Sequence, residues 1–402
     1  MLPHLLLSYD FPPIGGGIAR TMGALADHYP ENGLITVTGR VPGSEQADAE
    51  RRNRVVRIPV SARRLRTLPG LLRWSRRVSV LARRQRARFI WCGNLKPAAY
   101  PARWTTERTG IPYGVILYGG DLLTLQHQIH RSTLKWRAAR ALVGSASVLV
   151  TISDYTRELA ESVLSELNLA CTPGRVRVVP LGTDPAFFRP GIDTADVKRR
   201  YGLPADGRWL MTVARLVRHK GIDTVLRAMA RLAEHAPDLR YAVVGAGERL
   251  DELRALAAEL KVADRVHFLT DVPDADLPAL YNVADVYVQV SRRSENGVEG
   301  FGIAIVEASA CGVPVVAGRS GGMPDAVREG VTGVLVDSES VEAVAAAVQR
   351  LLDEPGHARM LGAGGRSAVE SFYNWDRVTR DLIAIANDYA ASVSPSGNAG
   401  AR

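Results

Sequence analysis

The chain has 402 residues, 46% hydrophobic and 23% charged, with a formal net charge of +9. That profile excludes a disordered or fibrous chain, and the length exceeds one typical domain and suits two with ample core. The three cysteines, Cys92, Cys171 and Cys311, are scattered, offer neither a disulfide framework nor metal spacing and fit a reducing cytosol; no apolar stretch reaches membrane-spanning length.

The N-terminal MLPHLLLSYDF carries an apolar run too short for a signal peptide, with no basic residue before it. The first strand is predicted at Leu5–Ser8 and runs through Tyr9-Asp-Phe-Pro-Pro-Ile-Gly-Gly-Gly17 into a helix. Gly16 and Gly17 allow backbone to approach a phosphate or sugar closely. This is not the dinucleotide fingerprint, because Arg20 stands where the third glycine belongs; Gly245-Ala-Gly247 lacks it too. Further strands are predicted at Leu34–Thr38, Val55–Val60, Phe89–Cys92, Gly114–Leu117, Val148–Ile152 and Val176–Val179.

Between Arg51 and Arg88 there are many arginines and no Asp or Glu. Within it, LPGLLRWSRRVSVLARRQRAR reads as an amphipathic helix: Leu71, Leu72, Trp74, Val78 and Leu81 form the apolar face, and Arg73, Arg76, Arg77, Arg83 and Arg84 the rest. Such a helix suits an anionic membrane surface, or a core-packed helix with a solvated arginine face. Nucleic acid is disfavoured, since no binding module accompanies the charge.

PLGTDPAFFRPG marks a boundary near residues 182–190. Beyond it, strands are predicted at Trp209–Val213, Tyr241–Val244, Val266–Leu269, Val286–Val290, Val313–Ala317 and Gly333–Val336. Two series of alternating strands and helices imply two parallel sheets covered by helices, with ligands at the carboxyl ends of the strands. The expected domains are residues 1–184 and 185–373, then a helix over 374–392 and a disordered tail over 393–402.

Four segments carry candidate chemistry. Strand Trp209–Val213 leads to Arg215-Leu-Val-Arg-His-Lys220-Gly221, where Arg215 and Lys220 flank a turn before a helix, an arrangement suited to a diphosphate. Asp274-Ala-Asp276 looks like an Asp-x-Asp metal motif, but lies at a helix start, where N-capping and first-turn carboxylates explain it. In EGFGIAIVEASACGVPVV, Glu299 and Glu307 bracket a glycine loop running into an apolar helix. Glu299 would stand in the loop and Glu307 about a turn inside the helix, holding a phosphate flanked by sugars. Arg319-Ser-Gly-Gly-Met-Pro-Asp325 is a further glycine turn, either shaping the site or simply a tight turn.

These segments together resemble glycosyltransferase family four, the retaining transferases of GT-B fold. VEGFGIAIVEASACGVPV is similar to the bacterial phosphatidylinositol mannosyltransferase branch. The resemblance covers nearly the whole chain and implies an α/β fold of two doubly wound Rossmann-like domains facing across a cleft, with the C-terminal helix crossing back to the first. It implies that Gly16 and Gly17 approach the donor diphosphate, that Arg215 and Lys220 bind it, and that Glu299 contacts the transferred sugar. Glu307 would hold the ribose, and the N–H groups of Phe301, Gly302 and Ile303 would face phosphate and sugar. No metal or cofactor is implied. Where many members carry His, this chain has Tyr118 in Leu117-Tyr118-Gly119-Gly120-Asp121, which makes Tyr118 and Asp121 the acceptor-side candidates and adds Asp121 to the catalytic set. The implied reaction moves a hexose, first of all mannose from GDP-mannose, to a hydroxyl of a sugar, glycolipid or lipid-linked glycan. A UDP-glucose or UDP-N-acetylglucosamine donor is the alternative, and a catalytically silent sugar-nucleotide binder is the alternative of another class. The expected location is the cytoplasm, peripheral to the inner face of the membrane if the arginine-rich segment binds lipid.

Overall fold

The computed structural model describes residues 2–233, 235–294 and 297–392. The tail over 393–402 lies outside the described residues. The chain divides into two compact units: one runs to Val179 and resumes at Trp375, and the other is Pro180–Asn374.

The first unit holds seven strands: β1 (His4–Leu7), β2 (Leu34–Arg40), β3 (Arg54–Ser61), β4 (Ile90–Cys92), β5 (Tyr113–Leu117), β6 (Val148–Thr151) and β7 (Val176–Val178). All pair in parallel in the order β3-β2-β1-β4-β5-β6-β7. The second holds β8 (Arg208–Val213), β9 (Leu239–Val244), β10 (Val266–Leu269), β11 (Val286–Gln289), β12 (Val315–Gly318) and β13 (Gly333–Val336), parallel in the order β10-β9-β8-β11-β12-β13. Every predicted strand is present within two residues of its expected ends. Their apolar runs are legible because helices cover both faces of a parallel sheet, so β1, β5, β6, β11 and β12 are buried along their whole length. Strand order reverses between β1 and β4 in the first unit and between β8 and β11 in the second. Loops leaving those strands part company there, which leaves room for a ligand at each sheet's carboxyl edge.

The basic helix runs Leu68–Arg84, with Thr67 Oγ1 accepting from the Gly70 N–H at 3.3 Å as its N-cap. Its core face is Trp74, Val78, Leu81 and Ala82, with Leu71 half-buried. Leu72 departs from expectation: it is 38% exposed, and Leu68 is 72% exposed. At roughly 100° per residue, Leu72 lies about 160° from Trp74, on the arginine side. Trp74 is wholly buried, so the exposed face offers leucines and arginines but no tryptophan.

The C-terminal helix Trp375–Ser392 belongs to the first unit. Trp375, Val378, Leu382, Ile385 and Ala386 are buried on its inner side. His28, at the end of helix Gly17–His28, meets Asp376 at 2.9 Å, and Thr379 Oγ1 donates to the His28 carbonyl at 3.4 Å. Among the described residues no helix is long and apolar enough to cross a membrane.

Candidate active site

The second unit gathers its functional groups where β8 and β11 end. After β8 the chain passes Arg215 and makes a 3₁₀ turn at Arg218–Lys220. Gly221 follows with φ 70°, and a Cβ there would stand 2.1 Å from the Val290 carbonyl oxygen. Only glycine therefore lets the Lys220 turn lie against the end of β11. Lys220 Nζ reaches Glu299 Oε2 at 2.5 Å, with side-chain exposures of 14% and 15%. Two segments fix Glu299. The Gly322 N–H donates to its carbonyl at 2.9 Å, and Gly321, at φ 59°, packs on the same oxygen, so the Arg319–Asp325 turn shapes this site. Gln289, the last residue of β11 and 2% exposed, donates from Nε2 to Glu299 Oε2 at 2.6 Å.

Gly302, at φ 103°, precedes helix Ile303–Ala310. The N–H groups of Phe301, Gly302 and Ile303 have no hydrogen-bond acceptor among the described residues. Free N–H groups at a helix start, beside a lysine and a carboxylate, can hold an anion joined to a hydroxyl-bearing group. Glu307 lies just over a turn into that helix, as expected, 3% exposed, with Oε2 accepting the Tyr281 hydroxyl at 2.8 Å. Arg215 is exposed and has no ion-pair partner among the described residues. His219 lies beside Lys220 in the same 3₁₀ turn, within reach of the charges of Glu299 and Arg215. Burial, then Lys220, pulls its pKa down to about 4, so this imidazole is neutral at pH 7.

The first unit collects polar groups at its own switch point. Asp10 follows β1, Asn94 follows β4, and Tyr118 follows β5. Burial raises the Asp10 carboxyl, while the Arg66 charge and then the Asn94 side chain hold it down. The Arg66 guanidinium lies 4.2 Å from the Tyr9 ring centroid. Asp121 Oδ1 accepts the N–H groups of Tyr118 and Leu122 at 2.8 and 2.9 Å, so this carboxylate also caps helix Gly119–Arg131. Burial nevertheless raises its pKa to about 7. Three buried polar atoms here have no partner among the described residues: Asn94 Oδ1, the Tyr118 hydroxyl oxygen and Asp121 Oδ2. Buried polar atoms are nearly always paired, so three together mark a place for a ligand or water. Asn94 and Asp121 line a cleft of about 540 Å³ with Arg66, Lys96, Gln128 and Leu71. Lys96 Nζ donates to Gln128 Oε1 at 3.2 Å.

The glycine loop after β1 is open: a Cβ at Gly15, Gly16 or Gly17 meets nothing within 4 Å. Only Gly16, at φ 119°, requires glycine for its backbone. The Asp-x-Asp segment is corrected in detail. Asp276 makes no capping bond; its carboxylate takes Arg200 at 2.5 Å and the Tyr201 hydroxyl at 2.6 Å. Among the described residues no three His, Cys, Asp or Glu side chains gather as metal ligands.

Sequence reasoning missed Gln289, Asp10 and Asn94. A lone amide in the apolar run VYVQV, and single polar residues just beyond two buried strands, were the available signals.

Two parallel α/β units, one with a cation–carboxylate pair at a glycine-capped helix start, match two glycosyltransferase family profiles over most of the chain. The profile of glycosyl transferases group 1 matches residues 193–368, and that of the glycosyl transferase 4-like domain matches residues 16–182. The chain belongs to glycosyltransferase family four, with the GT-B fold, and lies close to the phosphatidylinositol mannosyltransferases. It is 34% identical over 378 residues to the GDP-mannose-dependent alpha-(1-6)-phosphatidylinositol monomannoside mannosyltransferase of Mycolicibacterium smegmatis, covering 92% of this chain and 94% of that protein. It is 37% identical over 262 residues to the D-inositol 3-phosphate glycosyltransferase of Acidothermus cellulolyticus, covering 63% and 57%. In fold it is similar to the Anabaena protein Alr3699/HepE crystallised with UDP and glucose, at TM-score 0.76 and 20% identity over 96% of this chain and 100% of that one.

Proposed function

We propose that this glycosyltransferase transfers mannose from GDP-mannose, with retained configuration and without a metal, to a hydroxyl of a phosphate-bearing polyol such as a phosphatidylinositol mannoside. The observation that carries the reading is the Lys220–Glu299 pair beside the free N–H groups of Phe301, Gly302 and Ile303. Arg215, Lys220 and those N–H groups would hold the diphosphate, Glu299 the hexose and Glu307 the ribose. The bond from the hexose anomeric carbon to the diphosphate breaks, and the acceptor oxygen bonds that carbon on the same face. The acceptor's proton passes to the departing phosphate oxygen, and the two cations offset the growing charge.

GDP-mannose is supported by the relatives that match nearly the full chain, which carry that donor in their names. For the acceptor, Asn94 Oδ1, Asp121 Oδ2 and the Tyr118 hydroxyl suit several hydroxyls, and Arg66 and Lys96 on the same cleft suit a phosphate. A lipid acceptor accords with Leu68 and Leu72 exposed among the arginines of helix Leu68–Arg84, a face suited to anionic lipid.

The test is turnover of GDP-mannose and of UDP-glucose with chelator present, alongside thermal stabilisation by GDP and UDP. A ligand at about 100 times its Kd stabilises by roughly 2.7 kcal/mol. Stabilisation by GDP and an α-mannoside product are expected. Selective response to UDP moves the donor to glucose or N-acetylglucosamine, and dependence on added metal ends the metal-independent reading.

A further inference from the structure

We propose that Gln289 is a positioning residue for sugar transfer: its amide fixes one oxygen of Glu299 and leaves the other to the hydroxyls of the donor hexose. This rests on the reading above that Glu299 contacts the transferred sugar.

β11 is buried along its length between β8 and β12, a place where an apolar side chain is the default. An amide there is unfavourable unless both its ends are satisfied. Here both are. The Tyr287 hydroxyl donates to Gln289 Oε1 at 2.8 Å, and Gln289 Nε2 donates to Glu299 Oε2 at 2.6 Å. Tyr287 is wholly buried, and its hydroxyl oxygen also lies 3.4 Å from the Val213 carbonyl at the end of β8. The chain has one direction. A carboxylate only accepts, so the amide nitrogen must face Glu299, and the amide oxygen then faces the one hydroxyl able to donate to it. Flipping the amide would set oxygen against oxygen.

Lys220 and Gln289 converge on the same atom, Oε2, while Oε1 has no hydrogen-bond partner among the described residues. The ammonium supplies charge but a loose direction, because its stem is flexible. The amide springs from a strand inside the sheet and supplies a fixed direction. Glu299 stands in a loop, so the strand lends it the stiffness the loop lacks.

The test compares wild type with Gln289→Leu, Gln289→Glu and Tyr287→Phe in the full chain, using GDP-mannose turnover, GDP affinity and melting temperature. Gln289→Leu keeps the volume and loses the donor. Its kcat should fall about 10- to 100-fold, the scale of a 1 Å misplacement. GDP has no hexose, so its Kd should stay within about twofold, since the interaction lost acts only on the sugar. Tyr287→Phe should lower kcat in the same direction by less.

Gln289→Glu gives a signature that packing alone does not. The charged or titratable groups around this amide are Glu299 and Lys220 from the loops and Tyr287 on its own strand, with Glu307, Tyr241 and His219 further out. Protonated, the introduced carboxyl donates as the amide does; ionised, it opposes Glu299. Relative activity of this variant should therefore rise as pH falls, with no such slope in Gln289→Leu. Full kcat in Gln289→Leu overturns the proposal. So does a loss of GDP affinity and melting temperature in step with kcat, which would make the residue packing. If wild type turns over no nucleotide sugar while binding GDP, the reading of function fails first and this proposal with it.

Discussion

Lys220 and Glu299, 79 residues apart in sequence, form a 2.5 Å ion pair that is about 85% withdrawn from solvent on both sides. The pair joins the turn after β8 to the loop after β11, the two strands that flank the switch point of the second unit. On the function proposed above, Lys220 serves the diphosphate and Glu299 the sugar, so the pair links the two roles. Lys220 would then be shared between the diphosphate and Glu299, so Glu299 is expected to restrain affinity for a bare nucleoside diphosphate while serving the transfer.

Glu299→Gln should separate these roles. Transfer should fall about 100- to 1000-fold, as when an electrostatic partner of a transition state is lost. GDP should bind as tightly as to wild type or more tightly, because Lys220 is released. Titration calorimetry with GDP beside turnover checks this, and a parallel loss of both would count against the shared-lysine account.

Asp121 should give the acceptor reaction its pH dependence. Burial raises this carboxyl to about 7, so it is protonated below and ionised above that value. If the carboxylate accepts an acceptor hydroxyl, kcat/KM for the acceptor should climb as pH rises through about 7. Asp121→Asn should lose that inflection and about 100-fold in rate. The linkage runs the other way for stability. The folded chain holds this proton more tightly than the unfolded chain, so rising pH between 3.8 and about 7 costs stability. Asp121→Asn should therefore melt no lower than wild type at pH 8.

His4 should contribute to acid lability of the first unit. It is buried at the start of β1 with Nδ1 2.8 Å from the Tyr29 hydroxyl, and burial, then Arg88, lowers its pKa from 6.5 to about 4. The stability linked to the neutral ring is complete above pH 6.5 and is lost as pH falls towards 4, at up to about 1.4 kcal/mol per pH unit. His4→Gln should show a shallower fall in melting temperature across that interval. An unchanged slope by calorimetry would remove His4 from the account.

The exposed face of helix Leu68–Arg84 should attract anionic lipid. Each arginine near such a surface contributes about 1 kcal/mol, screened by salt. Arg76→Glu with Arg77→Glu should abolish flotation with phosphatidylserine-containing vesicles at low salt while leaving GDP binding intact, since that binding is assigned to the second unit. Equal flotation with neutral and anionic vesicles would end the membrane reading.

The strands were legible because a parallel sheet buried on both faces leaves an unbroken apolar run such as Leu5-Leu6-Leu7 or Val148-Leu149-Val150, bounded by loops. The glycine loop before helix Ile303–Ala310 was legible because Gly302 and the paired glutamates sit at a fixed spacing along one segment. Contacts made across long sequence separations were not. Asp276 reads as a helix cap until Arg200 and Tyr201, about 75 residues away, claim its carboxylate. Gln289 reads as one more strand residue until Glu299 and Tyr287 are seen on either side of its amide. Leu72 reads as part of the apolar face by residue type and rough spacing, yet it lies next to Leu71 and neighbouring residues on a helix face different directions.

The return of the chain at Trp375 sets an order of assembly during synthesis. The second unit interrupts the first, whose closing helix is made only after about 200 further residues. At roughly 5–20 residues per second, the first unit waits on the order of 10–40 seconds with the groove for Val378, Leu382 and Ile385 uncovered, while the second can fold as it emerges. The unit made first is thus the one finished last, and a chain ending near residue 374 would carry all of the second unit but lack the closing helix of the first.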